Sequence, residues 1–302
     1  MVRRARWTWL PSTSKLAFHW RRIKGFWELY HRNQLGMVGL GILIFFALMA
    51  TVGVQLAPYG EWESQISPPF SPPSWKHLLG TDELGRDLFS LVIYGSRISL
   101  IVGVTAAISS AALGTVVGIL AGYYGGLIDD ILMRLTDAFL IIPSLVLMIV
   151  LASMLGPGID KIIFVIAITT WPTTARVVRS QVLTLKERTF VESARAIGAG
   201  DLHIILKHIL PNVTPLIFAN MILMVSGAII SEAGLSFLGL GDPHSTSWGM
   251  LLRYASEHGA IAAGMWWYVV PPGLCILLLV VGFIFISYAV DEILNPRLRE
   301  RM

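Results

Sequence analysis

Among the long runs of this sequence that hold no Asp, Glu, Lys or Arg are Leu35–Ala57 and Ile98–Ile128. About 20 apolar residues cross the hydrocarbon core of a bilayer as a helix. Within lipid, every backbone N–H and C=O must find its partner inside such a segment. These runs therefore confine the chain to membrane-spanning helices, and the second span is assigned to Ser99–Gly122 with GYYGG as its exit turn. Composition agrees, because 14% of residues are charged where a soluble domain carries about 25%. Four further apolar stretches predict the remaining spans: Ala138–Leu155, Ile162–Val178, Pro215–Glu232 and Val269–Val290. Trp171-Pro172 is expected to kink the fourth. The expected fold class is an all-α membrane protein with six transmembrane helices.

The flanking charges set the orientation. Residues 1–34 contain Arg3, Arg4, Arg6, Lys15, Arg21, Arg22, Lys24 and Arg32 against one acid, Glu28, with Trp7, Trp9, Trp20 and Trp27 among them. That composition reads as a cytoplasmic basic interfacial arm. The apolar run after it exceeds a signal-peptide core, so no cleavage is expected. With the N-terminus inside, Lys76, Arg86, Arg97, Lys161 and Arg253 fall outside and the rest of the 23 Lys and Arg fall inside. Basic residues favour the cytoplasmic face, so both termini are placed there. The chain then divides into the arm 1–34, the first span 35–57, an extracytoplasmic loop 58–97 and a core 98–302 with five spans. The loop holds Pro68, Pro69, Pro72 and Pro73, and its later part, GTDELGRDLFSLVIYGSR, is expected to form an interfacial helix.

Between the fourth and fifth spans lies the cytoplasmic loop 186–212, KERTFVESARAIGAGDLHIILKHILPN. Phe190, Ala194 and Ile197 recur at helical spacing, and Thr189 with Glu192 predicts a capping box. Gly198 and Gly200 supply a turn, and Asp201 stands where an N-cap belongs. Leu202, Ile205, Leu206, Ile209 and Leu210 follow as a one-sided apolar stripe, and Pro211 is expected to end the helix. An amphipathic helical pair between spans needs a surface to press against. It reads as a docking element.

Chemical machinery is sparse. Gly80–Gly85 has P-loop glycine spacing but lacks the Lys and the Ser/Thr that hold phosphate and magnesium. No HExxH, CxxC or GxSxG occurs, the seven histidines are scattered, and Cys275 is the only cysteine. No catalytic residue, cofactor or metal site is expected. The rows Gly103, Ala107, Ala111 and Gly114, Gly118, Gly122 predict close helix packing. Of the polar groups at span ends, Asp137 is expected to pair with Arg134, while Arg176 and Arg179 reach for headgroups. Glu232 either lines a pathway, braces an outer gate or makes a structural salt bridge or hydrogen bond. An ion-coupled carrier would show repeated halves and several buried acids, and neither is found. A helix-turn-helix over Thr189–Leu210 would offer nucleic acid only Lys207 from its second helix, so no nucleic-acid partner is expected.

Glu192-Ser193-Ala194, Gly198 and Ile209-Leu210-Pro211 together resemble the EAA loop of importer-type ABC transporter permeases, with Ser193 in place of an alanine and His208 in place of an isoleucine. Gly80–Leu100 and Ser231–Gly241 resemble the signatures of the dipeptide/oligopeptide/nickel permease group, and the arm, first span and proline-rich loop resemble its C-type subunit. The resemblance implies a type I ABC importer permease (MetI-like) fold in the cell membrane, without enzymatic activity. It implies ATPase coupling through Glu192, Ser193, Ala194, Gly198, Asp201, Leu202, Ile205, Leu206, Ile209, Leu210 and Pro211. The implied partners are a second permease in a heterodimer, two cytoplasmic ABC ATPase subunits carrying ATP and magnesium, an extracytoplasmic substrate-binding protein, and the lipid bilayer. Peptides are the implied cargo, with nickel complexes or oligosaccharides carried by the same machinery as the alternative.

Overall fold

A computed structural model describes residues 24, 25 and 27–294, so most of the arm expected over 1–34 lies outside the described residues. Among the described residues the regular structure is helical, without strands. Helix α1 spans Gln34–Leu56, α2 Leu88–Tyr124, α3 Gly126–Ile141, α4 Ser144–Leu155 and α5 Ile159–Leu185. Then follow α6 (Thr189–Ala196), α7 (Asp201–Leu240), α8 (Trp248–Glu257) and α9 (Trp266–Leu294). Helices α1, α2, α5, α7 and α9 are long and apolar enough to cross a membrane, and the pair α3–α4 makes a sixth crossing if its two halves count as one.

The third span departs from expectation. Instead of one helix over Ala138–Leu155, α3 and α4 meet at a bend of 91°. Pro143 is the cause: its ring forces the preceding residue out of the helical region, and Ile142 is extended at φ −79°, ψ 128°. The twelve residues of α4 reach about 18 Å at 1.5 Å per residue, short of a ~30 Å hydrocarbon core.

The separate interfacial helix within 80–97 is also absent, because Leu88 onward is already α2. Its 37 residues extend about 55 Å, so several turns project beyond the hydrocarbon. Asp87 caps it by accepting the Ser90 N–H at 2.9 Å, and its other oxygen meets His77 Nδ1 at 2.9 Å. The preceding turn is held by Arg86, whose Nε donates to Asp82 at 2.6 Å, and by the Tyr268 hydroxyl, which donates to Glu83. Burial pushes the Asp82 carboxyl above the usual carboxylate range, and the adjacent Arg86 guanidinium pulls it back in part.

Helix α2 is the spine of the bundle because its small residues let backbones close on it. A Cβ on Gly118 would lie 2.6 Å from the Ala175 carbonyl of α5, and one on Gly114 would lie 2.6 Å from the Trp171 carbonyl. Gly103 meets Ile229 of α7 with the same tightness, at 2.5 Å. At the Leu88 end, Phe46, Leu91, Trp248, Tyr268 and Leu279 form a buried core, with Trp248 Nε1 donating to the Val92 carbonyl at 2.9 Å. Helix α5 runs unbroken through Pro172. Large side chains such as Phe45, Leu48, Leu277 and Leu278 stay exposed, an arrangement costly in water and natural against lipid tails.

Charged groups near the other end pair across helices. Arg179 clamps Asp129 with two bonds of 2.5 Å, and Arg176 meets Asp137 at 2.6 Å. The expected Asp137–Arg134 pair does not form, and neither arginine is left to headgroups alone. The reason is tertiary: α3 lies along α5, which sets Asp129 and Asp137 opposite arginines some fifty and forty positions away. The Arg176–Asp137 pair is half exposed, and such pairs contribute about 0–1 kcal/mol.

Candidate functional site

The loop 186–212 folds as an elbow at the Tyr124 end of the bundle. Arg188 is extended at φ −81°, ψ 144°, and serves as the N-cap of α6. Thr189 is thus already helical, and the expected capping box with Glu192 does not form. Ser193 instead donates its hydroxyl to the Thr189 carbonyl at 2.7 Å. The turn after α6 is a Schellman motif: Ala199 N–H bonds the Ala194 carbonyl at 3.0 Å and Gly198 N–H the Arg195 carbonyl at 2.9 Å. Gly198 sits at φ 85°, a left-handed conformation that glycine adopts at little cost.

Asp201 is the first residue of α7 rather than its N-cap, which is Gly200. With no cap to make, its carboxylate accepts a 2.6 Å hydrogen bond from the hydroxyl of Tyr123, on the last turn of α2. The Arg195 guanidinium lies 5.4 Å from the centre of the same tyrosine ring. Tyr123 therefore joins both arms of the elbow to the spine of the bundle.

Pro211 does not end the helix. Ile205–Ile209 form a π turn, closed by the Leu210 N–H on the Ile205 carbonyl, and α7 continues through Pro211 to Leu240. The π turn restarts the α register at Leu210, so Pro211 falls in the first turn of the new stretch, where its missing N–H has little consequence. The Asn212 side-chain amide donates to the His208 carbonyl at 2.6 Å.

The predicted stripe divides into two faces. Ile204, Ile205, Ile209 and Val213 are buried with Val191, Ala194, Tyr123, Val178 and Val182, which fuses the elbow to α2 and α5. Leu202 and Leu206 remain 69% and 50% exposed, beside Phe190 and Ile197 at 40% and 86%. Leu210 is half-buried, while Glu192, Ser193, Gly198 and Pro211 are open. Of the expected coupling residues, Ala194, Ile205 and Ile209 belong to the fused face and Leu202 and Leu206 to the free one. Sequence reasoning missed Tyr123, Val191 and Ile204. The tyrosine before the GlyGly exit turn was the one available signal.

Glu232 lies elsewhere, 1% exposed in the Leu88 half of the bundle. Ser236 donates to its carboxylate at 2.7 Å and Ser99 of α2 at 3.3 Å, and the Ser247 hydroxyl also bonds it. It lines no open surface of this chain, and it ties α2 to the end of α7.

Residues 114–300 match the family described as binding-protein-dependent transport system inner membrane component, and residues 20–73 match the N-terminal TM domain of oligopeptide transport permease C. The chain is 39% identical over 96% of its length to the dipeptide transport system permease protein DppC of Bacillus subtilis, covering 88% of that protein. It is 38% identical over 91% of its length to the glutathione transport system permease protein GsiD of Escherichia coli, covering 90% of it. Inward-facing structures of the MetNI methionine ABC transporter superpose with a TM-score of 0.51 over 67% of this chain and 94% of that one, at 19% identity, a likeness of fold. With both sequence regions and the helical bundle in agreement, the chain belongs to the inner-membrane components of binding-protein-dependent ABC transport systems, as a multi-pass permease subunit of the oligopeptide C type.

Proposed function

We propose that this chain is one of two permease subunits of an ATP-driven importer of short peptides, and that its elbow is where a cytoplasmic ATPase engages it. The observation that carries the reading is the elbow's second apolar face. Phe190, Ile197, Leu202 and Leu206 stand open on an element whose other face is fused to α2 and α5. An apolar patch at a membrane protein's water-facing end needs a protein to cover it. The distribution of basic residues supports a cytoplasmic position for the elbow. The names of relatives that carry dipeptides and glutathione support peptides as the cargo.

In this reading the second permease completes the pathway as a heterodimer, an extracytoplasmic binding protein delivers the peptide, and two ATPases hold ATP and magnesium. Approach of the ATPases presses on the elbow, and the fused face passes the displacement to α2 and α5. The bundle then exchanges between inward-open and outward-open states. Moving such an equilibrium from 1:99 to 99:1 takes about 5.5 kcal/mol of differential binding, within what nucleotide binding to a pair of ATPases can supply. Glu232, tied to three serines, keeps α2 and α7 moving together.

The test is Leu206→Asp in the complete transporter. A carboxylate placed in the free apolar face must be desolvated when the ATPase docks. Co-purification of the ATPase is expected to fall by about tenfold or more, with membrane insertion intact. Undiminished co-purification would count against the docking role.

A further inference from the structure

A cavity of ≈ 350 Å³ opens at the end of the bundle opposite the elbow, lined by Ser153, Gly156, Gly239, Leu240, Gly241 and Arg253, among others. Its walls come from the loop between α4 and α5, the kinked end of α7, and α8. The size lies within the ~300–1,000 Å³ of small-ligand sites. Its chemistry is uneven: glycine backbones on two sides and a guanidinium on the third.

Arg253 is held by one edge only. Its Nε donates to Glu257 on its own helix at 2.7 Å, and Nη1 and Nη2 have no hydrogen-bond partner among the described residues. A pair four residues apart on one helix braces nothing else, so the arginine is not spent on joining α8 to the bundle. The flat guanidinium lies against Gly239, where an added Cβ would stand 3.0 Å from both Cζ and Nη1. Gly239 is at φ 89° and breaks the helix there, so both the kink and the room for the guanidinium call for glycine. A second cation lies beside Gly156, one of the glycines that line the cavity. Lys161 Nζ lies 3.8 Å from where a Gly156 Cβ would be and makes no ion pair among the described residues. The neighbouring Asp160 is exposed and turned back over Gly158, 2.8 Å from a Cβ built there. Both cations are among those the orientation places outside.

We infer that this cavity is a carboxylate subsite, in which the free Nη edge of Arg253 and the ammonium of Lys161 take the C-terminal carboxylate of a peptide entering the pathway. The inference rests on the proposed peptide import. A planar fork of N–H donors matches a carboxylate in two parallel bonds, and the glycine backbone allows close approach of an extended main chain. Residue side chains of the peptide would face the open mouth, which leaves the site indifferent to sequence.

The experiment uses the complete transporter in nanodiscs without the binding protein, with equilibrium binding of radiolabelled dialanine, and parallel uptake of dialanine by cells. Arg253→Gln and Lys161→Gln are each expected to weaken dialanine binding by about tenfold at an unchanged melting temperature. Glu257→Gln should bind at least as well as the wild type. The C-terminal amide of dialanine should bind no better to the wild type than to Arg253→Gln. Equal dialanine binding by wild type and both variants, alongside normal uptake, would overturn the subsite and leave peptide import standing. Displacement of dialanine by inorganic phosphate at equal concentration would also overturn it, marking a general anion site. Absence of both uptake and binding would remove the import reading together with the subsite.

Discussion

Tyr123 is the residue through which the elbow touches the spine by a polar bond. Its ring is buried with Val178, Val182 and Ile209, while its hydroxyl reaches Asp201 at 2.6 Å. Hydrogen bonds to charged groups contribute about 1.5–3 kcal/mol, a sizeable share of the few kcal/mol that separate two working states. Tyr123→Phe keeps the ring and its packing and removes only the hydroxyl. Assembly with the ATPase should persist, while the ATP hydrolysed per peptide imported should rise by several-fold, consistent with a lost bond of that size. An unchanged ratio in proteoliposomes would reduce Tyr123 to a packing residue. Glu232 contrasts with it, since three hydroxyl contacts enclose its carboxylate and no cation among the described residues pairs with it.

At the scale of elements, α2 is positioned by what it lacks. Gly118→Val would drive a branched side chain into the Ala175 carbonyl and the Val178 side chain, already 2.6 and 2.8 Å from a bare Cβ, and overpacking of this kind costs about 1–3 kcal/mol. A lower melting temperature is expected, whereas Gly227→Ala, with nothing within 4 Å of the new methyl, should melt like the wild type. The elbow turn obeys a different constraint. Gly198→Pro forces φ from 85° to about −65°, so the arms of the elbow should separate. ATP-driven uptake is expected to be lost with membrane insertion kept, and normal uptake would show that the turn geometry is dispensable. The spans were legible because missing charge can be read directly along the chain, and so could the small-residue rows of α2. The break at Ile142-Pro143 was visible as a proline that hydropathy ignores. What the sequence hid is tertiary: the Asp129–Arg179 clamp joins positions that have no periodic relation. The π turn at Ile205–Ile209 is an offset of register that no periodic pattern announces, and the division of the predicted stripe into a fused and a free face follows from which side of the elbow packs on α2 and α5.

For the whole molecule, these pieces describe a helical bundle on which the proposed function makes the elbow the one external lever. Its buried clusters at the Leu88 end and at the elbow's fused face are bridged along α2 by the Gly–carbonyl contacts with α5. Packed interiors transmit displacement because they have little free volume to absorb it. Motion imposed on the elbow therefore moves helices instead of unfolding a loop. The most direct measurement is cross-linking from Leu206→Cys, with the half-buried native Cys275 replaced by alanine, in inside-out membrane vesicles and in intact cells. An adduct with the ATPase in the vesicles, whose yield changes on adding ATP, and protection from impermeant thiol reagents in intact cells are the expected results. Labelling of that cysteine from outside the cell, or a complete transporter in which it never meets the ATPase, would contradict the elbow's role.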